Sequence, residues 1–195
     1  MGRIRVGLTL CGVICSFVAA GTVAADARNP VVQIEGGSVS GTVEGATLAF
    51  KGIPYAAPPV GPLRWKPPAA LRAWTGTRDG SRFAAACQQP LDRKEAWAQV
   101  GAPSEDCLFL NVWRPAKPGK YPVMVYIHGG AFIYGAAGVP LYDGRHLAER
   151  GAVNVTINYR LGRLGFFAHP ALTREDPDGP LGNYGIMDQI AALKW

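Results

Sequence analysis

Histidine is scarce in this chain of 195 residues: His128, His146 and His169 are the whole complement, 18 and 23 positions apart. That leaves no close pair of the kind metal sites usually use, so a zinc centre is not expected. Charge is thin as well, at 17%, and the net +6 comes from basic residues scattered among Pro, Gly and Trp without a long run. A nucleic-acid binder needs a concentrated basic face, so that class of partner is excluded and the charge is read as solubility. No internal repeat occurs, and aromatics at 10% are too plentiful for a disordered or collagen-like chain despite 25 Gly and 16 Pro. A loop-rich globular protein is expected.

Long apolar runs are also missing. The one extended apolar stretch, Val6 to Ala20, follows Arg3 and Arg5 and precedes the small residues Val23, Ala24 and Ala25. It is too short for a comfortable membrane span and reads as a secretory signal over residues 1–25, with an uncleaved N-terminal anchor as the alternative. Leu10 before Cys11 and Ile14 before Cys15 do not suit a lipid-anchoring site. No stable membrane anchor is therefore expected, and the protein is placed outside the cell or in the periplasm. Removing the signal leaves Cys87 and Cys107 as a single pair in an oxidising compartment, which predicts a disulfide between them.

Along residues 26–195, Val31 to Ile34, Ser38 to Val43 and Thr47 to Ile53 are β-prone runs separated by Gly-containing turns, and they predict a small antiparallel meander. From Pro54 to Pro68 the prolines remove backbone donors and fix φ, so neither a helix nor a central strand is expected there. Tyr55 and Trp65 suggest that this segment is anchored. Leu108 to Trp113 is strand-like, and Val123 to Ile127 (VMVYI) is the continuous apolar run of a strand buried on both faces. Arg145 to Arg150 suits a short helix ending at Gly151, and Val153 to Ile157 alternates as a strand. Asn183 is placed to cap a final helix with Ile186, Ile190 and Leu193 on one face. The order strand, helix, strand, helix predicts an α/β sheet that is at least partly parallel.

Directly after VMVYI stand His128, Gly129, Gly130, Ala131 and Phe132 (HGGAF), at the end of a strand where α/β folds place ligand sites. Small residues let such a loop turn sharply with its N–H groups facing a cleft, which is what an acyl-transfer enzyme needs to stabilise a tetrahedral oxyanion. A Gly-rich turn that merely reverses the chain reads the same way.

Glu105 to Pro115 (EDCLFLNVWRP) resembles the cysteine-containing signature of the type B carboxylesterase and cholinesterase family. FKGIPYAAPPVGPLRW from Phe50, HGGAF, NYRLGRLGF from Asn158 and GNYGIMDQIAALKW from Gly182 resemble further blocks of that family and occur in its order. Loops of the HGG type also occur in hormone-sensitive-lipase-like esterases, but the upstream EDCL block favours type B. The resemblance spans essentially all of residues 26–195. It implies the N-terminal part of an α/β-hydrolase fold: an antiparallel meander followed by a mixed, mostly parallel sheet with helices. It also implies hydrolysis of a small-molecule carboxylic ester, with no cofactor.

By the same resemblance Gly130 and Ala131 donate backbone N–H groups to the oxyanion and Gly129 permits the turn. Loops of this type are associated in the family with bulky alcohol portions of the ester. Arg64 is expected to pair with Glu105, and Arg160 with Asp188. Trp97, ten positions before Cys107, lies about where cholinesterases hold the Trp that meets a quaternary ammonium, although its flanking residues do not match and a packed Trp is the alternative. An α/β-hydrolase also needs a GxSxG nucleophile elbow, with acid and His after it. The 195 residues contain no such motif. The chain is therefore expected to carry the oxyanion side of the site without the triad, as a truncated portion of the domain, inactive alone. A non-catalytic binding or adhesion module, similar to those that reuse the cholinesterase fold, is the other class.

Overall fold

The computed structural model describes residues 29–91, 102–179 and 181–195. The signal segment and Trp97 lie outside the described residues.

Two sheets form the frame. β1 (Val31–Ile34) and β2 (Gly37–Ser40) make an antiparallel hairpin, and β5 (Thr77–Asp79) adds to β2 in parallel. The larger sheet has the order β3 (Thr42–Glu44), β4 (Thr47–Pro54), β6 (Phe109–Pro115), β8 (Val153–Ile157), β7 (Val123–Ile127). The expected single meander is thus two hairpins in two sheets, and the run Ser38 to Val43 breaks at Gly41. A Cβ there would lie 2.3 Å from the Ala49 carbonyl oxygen and 2.6 Å from the Phe50 ring, so only glycine lets the chain cross between sheets at this point. β5 was not legible in the sequence because all three of its residues are exposed and carry no apolar alternation.

The larger sheet is mixed, as expected, but its balance differs from the mostly parallel arrangement implied by the resemblance. Within the described residues β7–β8 is its one parallel pair, while β3–β4, β4–β6 and β6–β8 are antiparallel. Parallel neighbours need a crossover, and here the chain from β7 to β8 supplies it through α1 (Arg145–Glu149). α1 closes at Gly151, whose φ of +91° turns the chain into β8.

The core gathers Phe50, Ile53, Leu110, Ile157, Tyr159 and Leu161, all under 4% exposed. Truncating one of these large side chains to Ala would cost about 2–5 kcal/mol. Trp113, fully buried, packs with Ala49 and Ala148 and seats α1 on the sheet.

Two expectations of burial are corrected. β7 is exposed along its whole length, from 38% at Ile127 to 63% at Val123, because it forms the edge of the sheet and no described element covers it. After β8 come the short helices α2 (Gly162–Gly165) and α3 (Pro170–Glu175), and in α4 (Tyr184–Lys194) the expected apolar face points outward: Ile186, Ile190 and Leu193 are 36–57% exposed, and Tyr184, Gly185, Asp188 and Ala192 face inward. The buried Asp188 side chain fixes this rotation by its pairing with Arg160. Asn183 holds the N-cap position, but its side chain makes no capping hydrogen bond.

Between Pro54 and Pro68 the chain forms no α-helix and no strand beyond Pro54, only a 3-10 turn at Gly61–Leu63. Tyr55 donates to the Asn158 carbonyl at 2.7 Å and Trp65 Nε1 to the Arg163 carbonyl at 2.8 Å, so the segment is anchored at both ends. No helix among the described residues is long and apolar enough to cross a membrane.

Candidate active site

The parallel pair β7–β8 delivers two chain segments to one end of the sheet. His128 to Phe132 leave β7, and Asn158 to Leu161 leave β8 beside them. Gly130 (φ +115°), Ala131 (+52°) and Phe132 (+61°) are all left-handed in succession. Gly130 is obligatory by space as well as by φ, since a Cβ would fall 2.1 Å from the Tyr134 carbonyl oxygen. Gly129 differs: its φ is ordinary and a Cβ would meet open space, so the turn that the sequence assigned to Gly129 is made at Gly130. For Ala131 and Phe132 the left-handed region costs roughly 1–2 kcal/mol each, so surrounding contacts must hold them there.

Those contacts are specific. The Phe132 carbonyl accepts from Gly162 N–H at 2.7 Å, and the Gly130 carbonyl accepts from the N–H groups of Ile133 and Tyr134. The Phe132 ring packs on Phe166 at 4.8 Å. Among the described residues no acceptor takes the N–H of Gly130 or of Ala131. The carbonyls of Gly130 and Phe132 are thus engaged, while the adjacent N–H groups of Gly130 and Ala131 have no acceptor among the described residues.

Beyond Phe132 the loop is tied down by polar side chains that the sequence reading did not single out. Gln89 brackets Gly135, accepting its N–H at 2.9 Å and donating to its carbonyl at 2.8 Å. Asn158 accepts from Ala137 N–H at 2.8 Å, and Thr156 donates to the Ala137 carbonyl at 3.0 Å. Asn111 donates to Thr156 and accepts from Gly52 N–H at the bulge of β4. Buried backbone groups need such partners. The signal in the sequence is the polar set Asn154, Thr156 and Asn158 on alternate positions of β8 and the residue that follows it.

His128 is 2% exposed, and its Nδ1 lies 2.9 Å from the Gly129 carbonyl oxygen. That oxygen can only accept, so Nδ1 carries the hydrogen of this contact. Burial pushes the His128 pKa below its ordinary value, and Nε2 is buried without a hydrogen-bond partner among the described residues. Tyr159 stacks on His128 at 4.5 Å and donates its hydroxyl to the His128 carbonyl at 2.9 Å. Burial raises the Tyr159 pKa, which keeps that hydroxyl protonated as a donor.

The other sequence-selected residues gather nearby. Arg64 makes a two-pronged pair with Glu105, both contacts at 2.6 Å, and Arg160 makes one with Asp188 at 2.7 and 2.8 Å. Cys87 and Cys107 are joined by a disulfide and are 1–2% exposed. Arg64, Glu105, both cysteines and Arg160 line one small cavity of about 10 Å³. Gln89 also donates to the Cys87 carbonyl at 3.0 Å, which couples the disulfide to the Gly135 end of the loop. His146 and His169 lie apart from this cluster: His146 pairs with Glu149, and His169 accepts from Ala171 N–H at the start of α3 (Pro170–Glu175).

A sequence profile of the Carboxylesterase family matches residues 28–195. A fumonisin B1 esterase of Sphingopyxis macrogoltabida is 49% identical over the whole of this chain and 37% of its own length. A para-nitrobenzyl esterase of Bacillus subtilis is 45% identical, covering 85% of this chain and 34% of the relative. A cholinesterase of Mus musculus is 44% identical over 77% of this chain and 26% of its own. Among solved structures, a PNB esterase superposes with a TM-score of 0.77 at 43% identity, over 85% of this chain and 34% of that one. The chain spans 26–37% of the length of these relatives.

Proposed function

The chain belongs to the carboxylesterase family, and from that membership we propose that it supplies the oxyanion-stabilising side of a carboxylic-ester hydrolase of the serine type. The observation that carries this is the pair of N–H donors at Gly130 and Ala131 that meet no acceptor among the described residues, in a loop at the end of β7 whose Gly130 and Phe132 carbonyls are engaged. When a nucleophile adds to an ester carbonyl, negative charge develops on the carbonyl oxygen. Two fixed donors meet that charge without having to reorganise. One such donor is worth roughly 10²–10³ in kcat.

In this reading the Ser nucleophile, the acid and the base come from the part of the relatives that this chain does not span, and the 195 residues alone are inactive. A small-molecule ester is the substrate, and fumonisin B1, named for the Sphingopyxis relative, is the first natural ester to try. The reading includes export through a signal at residues 1–25, which a buried disulfide supports because such bonds persist in oxidising compartments. The free donors favour an enzyme over a binding or adhesion module, which has no use for them.

The test is hydrolysis of p-nitrophenyl esters and of fumonisin B1 by the whole protein, before and after Gly130→Ala. The added Cβ must displace the loop from the Tyr134 carbonyl, and kcat is expected to fall about 10²–10³-fold with KM little changed. Wild-type kcat in the variant would remove the oxyanion role. The 195-residue chain alone should show neither turnover nor a burst, and a measurable acyl-enzyme on it would overturn its assignment as inactive.

A further inference from the structure

Tyr159 touches the HGGAF loop at both ends. Its hydroxyl donates to the His128 carbonyl at 2.9 Å, and its ring lies against the His128 imidazole at 4.5 Å with an 18° tilt. The same ring receives Phe132 edge-on, at 6.3 Å and 72°. Three residues further on, Gly162 donates to the Phe132 carbonyl. The segment leaving β8 therefore grips the first and last residues of a loop that contains two strained left-handed residues, Ala131 and Phe132, and the unaccepted N–H groups of Gly130 and Ala131.

We propose that Tyr159 is the positioning residue of this loop, fixing His128 and Phe132 relative to each other so that the Gly130 and Ala131 N–H groups keep one orientation. The inference rests on the oxyanion role proposed above for its catalytic consequence, but the clamp itself is a statement about the loop. Tyr159 is 2% exposed and its hydroxyl is already committed to a carbonyl, so it does not reach substrate and acts only through the loop. Strain makes the clamp necessary: left-handed φ at Ala131 and Phe132 is unfavourable by itself, and a loop released at either end has an inexpensive route back to ordinary backbone. His128 is held by the same contacts, since rotation of its ring would lose both the stack and the bond to the Gly129 carbonyl.

Tyr159→Phe keeps the ring and removes only the hydroxyl. In the 195-residue chain, amide ¹⁵N relaxation at Gly130 and Ala131 should shift from rigid order parameters near ~0.85 toward the flexible range below ~0.6, while the core amides of β6 and β8 stay rigid. In the whole protein the same substitution should lower kcat roughly 10-fold with KM unchanged, the pattern of an interaction that matters only in the transition state. Phe132→Leu loosens the other end and should move the same two amides, which keeps the test open if Tyr159→Phe does not fold. Rigid Gly130 and Ala131 in both variants overturn the clamp. Loosened amides with unchanged kcat would uphold the clamp and overturn the oxyanion role instead.

Discussion

Arg160 and Asp188 lock α4 to the end of β8 through three hydrogen bonds: Arg160 Nε and Nη2 each reach one carboxylate oxygen, and the Arg160 backbone N–H adds a third contact at 3.0 Å. Both side chains are 3% exposed or less. Burial pushes the Asp188 carboxyl upward, and the Arg160 hydrogen bonds pull it back.

Removing one partner of such a pair leaves the other buried and uncompensated. Asp188→Ala should cost about 3–5 kcal/mol, read from urea denaturation of the 195-residue chain. Helix α4, whose apolar face points outward, should be the first element to lose protection in hydrogen exchange. A loss below about 1 kcal/mol would mean that apolar packing, and not this pair, seats the helix.

The disulfide closes a loop of sequence separation 20. Replacing Cys87 and Cys107 together by Ala should lower stability by about 3 kcal/mol through the freed unfolded chain. Because both cysteines are buried, reductant should act on the native protein slowly and on the unfolded protein at once. Equal rates of thiol release in the two states would contradict the burial.

His128 gives stability a pH dependence with a definite sign. Its folded pKa is depressed below 6.5, so the unfolded chain binds more protons than the native one as pH drops from the ordinary value to the depressed one. The contribution is complete above pH 6.5 and is lost as pH falls through the folded pKa. Thermal midpoints measured from pH 7.5 down to 5, values of about one unit either side of an ordinary imidazole, should decline in that window. His128→Asn, which cannot titrate, should flatten the decline. A slope that survives the substitution would assign the effect elsewhere.

The exposed β7 strand offers an unpaired edge and apolar residues on both faces. Such edges pair with other chains, so the 195-residue chain is expected to associate, with light scattering showing mass above the monomer at micromolar concentration. Val123→Lys and Met124→Lys, both on that edge, should shift the population toward monomer. A monodisperse wild-type monomer with one sharp thermal transition would refute this.

Much of the local structure was legible from residue order alone. Turn glycines, proline spacing and apolar runs marked β1, β4, β6, β7, β8 and α1 close to their observed limits, because those features are set by backbone sterics within a few residues. HGGAF marked the loop, and EDCLFLNVWRP marked the family. The sequence did not disclose which side of each element would be covered. Periodicity shows that Ile186, Ile190 and Leu193 share a face, but whether that face turns inward depends on Arg160, 28 positions before Asp188. The same holds for Thr156 and Asn158, polar residues that are buried because the loop after Phe132 brings unpaired backbone groups to them. Tyr159 is 31 positions from the carbonyl it holds, and no local pattern could have joined the two. Local chemistry was written in the sequence itself; the partners that strain, bury or free each group came from distant segments, and only the tertiary fold brought them together.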